Sequence, residues 1–173
     1  MLSHMSMVEL PKGIRAETLI TPTRTFEYFR QTFEDRHIIV TSFAQGYIDQ
    51  IDPNELTERP SLKLIWPSGR DLGITKRSPY ERFLEAGQVK GYNLLRPADA
   101  LYLRDQDTEQ PLNDVYWLAM KPMTDREGDR DVFGLEHDQY GMSLRAHWTD
   151  PGYLWNPEDR LVFSLPASGP EKS

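Results

Sequence analysis

Four groups of residues in this sequence have side chains that are able to bind a ligand or do chemistry. The first group consists of His137, Arg145 and His147. Histidine serves as a metal ligand and as a general acid or base. If one strand joined them, the two histidines would share a face, because they are ten residues apart, an even number. We treat these three residues as weak catalytic candidates; the alternative is a purely structural role.

The second group is an acidic run that begins at Asp125. Counting from it, acidic residues stand at positions 1, 3, 5, 7 and 12 (Asp125 to Glu136), the spacing of oxygen ligands in a calcium-binding loop. Glycine stands at position 4 instead of position 6, where Arg130 is found. Two arginines inside the run would also neutralise part of its charge. We therefore expect a solvated acidic loop that binds no metal and needs no cofactor.

The third group surrounds the start of a predicted helix. Ser78, Pro79 and Glu81 have the spacing of a capping box with proline at the first helical position. The amino end of a helix favours anions, and two cations precede this one. The pattern predicts a ligand-binding or anion-binding site formed by Arg70, Lys76, Arg77 and Ser78.

The fourth group is aromatic and lies in the segment 148–155. Pro151 and Pro157 stiffen the chain around Tyr153 and Trp155. Tryptophan and tyrosine are typical anchors of protein interfaces. We predict that Tyr153 and Trp155 form an interaction surface and that Trp148 is buried. The alternative is a loop that packs over the open end of the sheet.

Composition excludes several classes of protein. The chain has 173 residues, no cysteine and a formal net charge of −7. Without cysteine there are no disulfides and no thiolate-ligated metals, and a reducing, cytoplasmic location is expected. No apolar run reaches the roughly 18 residues of a membrane span. A sequence pI of about 5.1 makes nucleic acid an unexpected partner.

Charge is unevenly distributed along the chain. Residues 59–96 contain eight basic and three acidic side chains, whereas residues 104–138 contain ten acidic and four basic ones. Two arrangements would explain this: a dipolar molecule with an anion-facing side, or two segments that lie side by side and neutralise each other.

The elements that must position these groups are predicted from periodicity. Phe26, Phe29 and Phe33 recur at helical spacing after Thr21, and a second helix should end near Gly87. Strands are predicted for the ranges 38–48, 61–66, 72–75, 89–95, 100–103, 115–120, 140–148 and 161–165, some of them short. The pattern indicates an α+β fold with a curved antiparallel or barrel-like sheet of about seven strands and two short helices.

The sequence also divides the chain. We expect a disordered segment or cloning remnant at 1–12, one domain at 13–166 and a disordered tail at 167–173. Within the domain, the basic segment 59–96 and the aromatic loop 148–155 predict a soluble binding module for a protein partner or an anionic ligand. The alternative is a small enzyme or ligand-binding barrel with a pocket lined by histidine, arginine and tryptophan from residues 137–155. No recognisable catalytic motif is present, and the oligomeric state is left open.

Overall fold

The computed structural model describes residues 11–167 and has a mixed α+β architecture. Four α-helices accompany the strands in this range: α1 (Phe26–Asp35), α2 (Ser42–Ile48), α3 (Tyr80–Val89) and α4 (Asp99–Gln106). A single turn of 3-10 helix covers Pro53–Leu56. The disorder predicted for the two ends of the chain falls largely on residues outside the described range. Within that range, no helix combines the length and the apolar character that a membrane crossing requires.

The described residues also form ten strands, six of which follow one another after α4. They are β1 (Ala16–Thr21), β2 (Ile39–Val40), β3 (Arg59–Ile65), β4 (Ser78–Pro79), β5 (Asp114–Leu118), β6 (Met123–Thr124), β7 (Arg130–Asp138), β8 (Gly141–Trp148), β9 (Leu154–Trp155) and β10 (Leu161–Ser164). Eight of them form one sheet in the order β1-β3-β10-β5-β7-β8-β2, with β6 beside β7. All pairs in this sheet are antiparallel except β10–β5 and β2–β8.

The predicted class is confirmed, but the number of elements and the barrel-like closure are not. The sheet is open, because β1 at one end and β2 at the other do not pair with each other. Strands β4 and β9 form a separate two-stranded sheet. The outcome is four helices where two were expected, and a larger, mostly antiparallel sheet.

The first helix is the best predicted element. Thr25 caps α1, since its hydroxyl accepts a hydrogen bond from the Tyr28 amide at 3.0 Å, a typical N-cap contact. Phe29 and Phe33 are buried, and Phe26 packs partly buried against the core. The three phenylalanines therefore share the inward face that their spacing predicts.

Two segments predicted as strands are helical. Only Ile39 and Val40 of the first segment form a strand, and Thr41 then caps α2, which includes Gly46. The segment 100–103 lies within α4, where every residue from 99 to 104 is buried. A short run buried on all sides has no periodicity with which to distinguish helix from strand. Residues 72–75 and 89–95, also predicted as strands, lie in none of the ten strands.

The acidic segment is also more ordered than expected. Only residues 125–129 connect β6 to β7, and residues 131–135 of β7 are all buried. The β7–β8 hairpin is the longest pairing in the sheet, with eight residue pairs in register from Asp131–Trp148 to Asp138–Gly141. This hairpin determines where the candidate residues of the carboxyl-terminal half lie.

Candidate functional site

The small sheet β4–β9 joins the two halves of the predicted interaction surface. Ser78 is paired with Trp155, and Pro79 with Leu154. Next to this pairing, the Arg77 guanidinium donates a hydrogen bond to the Leu154 carbonyl at 3.2 Å. The middle of the basic segment and the aromatic loop, far apart in sequence, are therefore neighbours on one side of the molecule.

Beneath this contact lies a cluster of rings that pack edge-on or tilted against one another. The His147 ring centroid lies 5.0 Å from that of Trp117, 4.9 Å from that of Tyr153 and 5.2 Å from that of Trp155. Trp155 also packs against Tyr80 at 5.1 Å. Aromatic pairs at these separations add to the energy of burial. The cluster fixes the position of the aromatic loop.

The burial of the two tryptophans is the reverse of the prediction. Trp155 is 2% exposed, whereas Trp148 is 58% exposed and Tyr153 is 39% exposed. The prediction required an extended chain from Tyr153 to Trp155. Instead, the Tyr153 amide closes a turn by donating to the Asp150 carbonyl at 2.8 Å. The Trp155 side chain is therefore buried in the ring cluster, where it supports the predicted interaction surface but is not part of it.

The exposed residues surround a cleft. We call Trp148, Tyr153 and Leu154, with Arg77 and Arg130 at the edge, the aromatic face. The adjoining cleft has a volume of about 320 Å³ and is lined by Gly128, Asp129, Arg130, Trp148, Asp150, Gly152 and Tyr153. No ion pair involves Arg130 within residues 11–167. The face therefore combines two exposed aromatic rings with an arginine that forms no ion pair within this range.

The histidine and arginine pocket does not assemble. His147 is opposite Val132 on β7, while His137 lies five residues further along that strand, a separation of roughly 17 Å. The His137 Nδ1 atom is 2.7 Å from the Gln110 carbonyl oxygen. Arg145 forms an ion pair with Glu136 at 2.7 Å. His137 and Arg145 thus have local structural partners, and only His147 belongs to the aromatic cluster.

In the structure, the predicted anion site has no side-chain helix cap, and most of its hydrogen-bond donors already have partners. The Ser78 hydroxyl donates to the Lys76 carbonyl at 2.8 Å and does not cap α3, whose N-cap is Pro79 without a side-chain bond. The capping-box prediction is wrong, because β4 pairing extends Ser78 away from the helix. Arg70 pairs with Glu158, and Arg77 is bound to Leu154.

Ion pairs within the protein account for part of the uneven charge distribution. The two ion pairs of the basic segment join Arg59 to Asp99 and Arg70 to Glu158. Among residues 11–167, none joins it to the acidic segment 104–138. In the sheet, β3 is separated from β7 by β10 and β5. The two segments are therefore not neutralised by strand pairing.

The acidic loop has a turn-forming role. Asp125 accepts hydrogen bonds from the amides of Glu127 and Asp129, both at 2.9 Å. Carboxylate oxygens of these three residues lie within 4.8 Å of one another. Glu136, the twelfth position of the calcium spacing, lies in β7 and is paired with Arg145. The structure therefore separates the last residue of the pattern from the rest, and we assign no metal here.

One carboxyl group near the aromatic cluster is expected to make stability depend on pH. Burial raises the pKa of Asp159, against the opposing effects of the Asn156 amide, His147 and Arg77. The folded protein therefore holds this proton more readily than the unfolded chain, and stability falls as pH rises above about 4. Asp159→Asn removes this contribution while keeping an oxygen for the Asn156 amide.

We expect the melting temperature of Asp159→Asn, relative to that of the original protein, to increase between pH 4 and pH 7. Thermal unfolding followed by circular dichroism at several pH values measures this difference. A difference that stays constant with pH, or that decreases, would contradict the expectation.

Comparison of this chain with protein-family models, with curated proteins and with solved structures found no match. The site must therefore be interpreted from its own geometry. Sequence reasoning missed Arg130, which lies at the edge of the aromatic face, and a groove between α1 and α2. The spacing of Phe26, Phe29 and Phe33 indicates an apolar helix face, but it does not distinguish a face that lines a groove from one that is fully buried in the core.

Proposed function

We propose that this protein is a binding module that recognises a protein partner through the aromatic face. The observation that supports this is the exposure of Trp148 and Tyr153 beside a cleft of about 320 Å³. Tryptophan, tyrosine and arginine are the residues most enriched among interface hot spots. Rings held by packed neighbours lose little conformational entropy on binding, and Tyr153 rests on the buried Trp155 at 6.1 Å.

A protein partner is favoured over a small anionic ligand. Arg70, Arg77 and Ser78 of the predicted anion site already have partners, and Asp129 and Asp150 line the cleft. Mixed charge around exposed aromatic rings is typical of protein interfaces. We place the interaction in the cytoplasm, with which the absence of cysteine is compatible.

The alternative, a small enzyme or ligand-binding barrel, has less support. Its pocket required His137, Arg145 and His147 to converge, but His137 lies five residues along β7 from the partner of His147, and Arg145 is engaged in an ion pair with Glu136. The open sheet also lacks the enclosed lumen that a barrel would offer.

A selection from a phage-displayed library of random peptides tests the proposal, because it does not require the natural partner to be identified first. Peptides selected on the original protein should bind Trp148→Ala about 30-fold more weakly, the effect of a typical hot-spot residue. Fluorescence anisotropy of the labelled peptides measures the affinities.

The matched control is Tyr140→Ala. Tyr140 is 74% exposed and lies at the opposite end of the β7–β8 hairpin, so its removal should leave peptide affinity unchanged. Selected peptides that are insensitive to Trp148→Ala, or a selection that enriches no peptide, would contradict the proposal.

A further inference from the structure

A groove of about 690 Å³ lies between α1 and α2 and shares no lining residue with the cleft of the aromatic face. Its floor is apolar and consists of buried side chains from four parts of the chain, namely Phe29, Phe33, Ile48, Ile51 and Leu101. Phe26, Ile38 and Val40 form its half-buried walls. The groove is therefore a concave apolar site whose walls still reach solvent.

The rim of this groove is acidic. Glu27, Glu34 and Asp49 line it together with one cation, Arg30. The Arg30 guanidinium donates to Glu27 at 3.1 Å and to Glu34 at 3.2 Å, so the three carboxylates and one guanidinium leave the rim with a net negative charge. The surrounding range 26–55 contains six acidic and two basic side chains. The groove thus presents an apolar floor inside a field that favours a positive charge.

The size of the groove favours a small molecule over a protein segment. Its volume of about 690 Å³ is within the roughly 300–1,000 Å³ of typical small-molecule pockets. Fourteen residues line it, fewer than the roughly 20–30 per side of a standard protein interface. Phe26 in the wall also offers an aromatic face, which attracts ammonium groups.

We propose that the groove between α1 and α2 binds a small organic cation with an apolar body, such as an alkylammonium compound. The apolar body occupies the phenylalanine-lined floor, and the ammonium group lies at the rim between Glu27, Glu34 and Asp49. This site is separate from the aromatic face, so either proposal holds or fails without the other.

Decyltrimethylammonium, kept below its critical micelle concentration, is the test probe. Decanol and decyl sulfate are its neutral and anionic counterparts with the same chain. Titrations of methyl-labelled protein, followed by NMR, should shift the signals of Ile38, Val40 and Ile48, which line the groove, and leave those of Ile74 unchanged. The cation should bind more tightly than decanol, and decyl sulfate most weakly.

Two variant pairs separate the rim from the general negative charge of the protein. Glu27→Gln with Glu34→Gln should weaken binding of the cation about fivefold or more, by loss of two nearby charges. Glu81→Gln with Glu85→Gln changes net charge equally on exposed positions of α3, and should weaken it less than about twofold, because distant exposed charges are screened.

Several results would overturn the proposal. They are equal affinities for the cation and decanol, shifts of methyl groups outside the groove only, and equal weakening by both variant pairs. A helical peptide rich in leucine and lysine tests whether a protein segment occupies the groove instead. Its binding in the groove, with no binding of the small cation, would also overturn the proposal and assign the groove to a protein segment.

Discussion

Replacing Trp155 with alanine should lower the free energy of unfolding by about 3–5 kcal/mol, the usual cost of removing a large buried aromatic side chain. The ring is 2% exposed and packs against Tyr80, Trp117 and His147. Its removal leaves a cavity beneath the aromatic loop and withdraws the ring on which Tyr153 rests. Urea denaturation followed by circular dichroism measures the loss.

The matched control for this change is Trp148→Ala. Trp148 is 58% exposed, so the same substitution should change the free energy of unfolding by about 0.5 kcal/mol or less, as expected for a surface position. The two variants together separate support of the loop from recognition by it. A loss of under about 1 kcal/mol for Trp155→Ala would contradict the burial on which this distinction depends.

The parts of the fold that the sequence predicts correctly have a clear periodic or turn signal. Helix α1 has phenylalanines on one face, as their spacing predicts, and strands β3, β5, β8 and β10 fall within or near their predicted ranges. Each of these signals is local, because it arises from neighbouring residues in one element.

The parts that the sequence does not predict depend on tertiary contacts. Helix α4 is buried on every side, so its residues show no polar face from which a period could be measured. The exposure of Trp148 and the burial of Trp155 depend on the turn at Asp150 and on pairing of β9 with β4. That pairing joins residues more than 70 positions apart, and no local pattern indicates it.

Tertiary contacts that no local pattern indicates also involve Arg59, which the sequence places in a basic segment that is expected to bind a partner. In the structure its guanidinium pairs with Asp99, whose side chain is 1% exposed. Asp99 also accepts a hydrogen bond from the Arg96 amide at 2.8 Å. The Arg59 guanidinium is therefore engaged by an internal carboxylate at the start of α4, and the Arg96 guanidinium donates to the Glu55 carbonyl at 3.2 Å, which leaves both side chains less able to contact a partner.

Replacing Asp99 with alanine should therefore destabilise the protein strongly. The substitution leaves the Arg59 guanidinium, whose side chain is 19% exposed, without its counter-ion, and removes the acceptor for the Arg96 amide. Breaking one side of a buried ion pair typically costs about 3–5 kcal/mol, because the remaining charge stays poorly solvated. Urea denaturation measures this loss too, and Asp99→Asn, which keeps an acceptor for the amide, should lose less.

The control is Glu158→Ala, which breaks the pair with Arg70. Those side chains are 68% and 56% exposed, and solvent-exposed ion pairs contribute only about 0–1 kcal/mol. A loss for Asp99→Ala as small as that for Glu158→Ala would mean that Arg59 finds solvent or another partner once released. In that case the basic segment would have more free charge for recognition than the structure assigns to it, and an anionic partner would regain support.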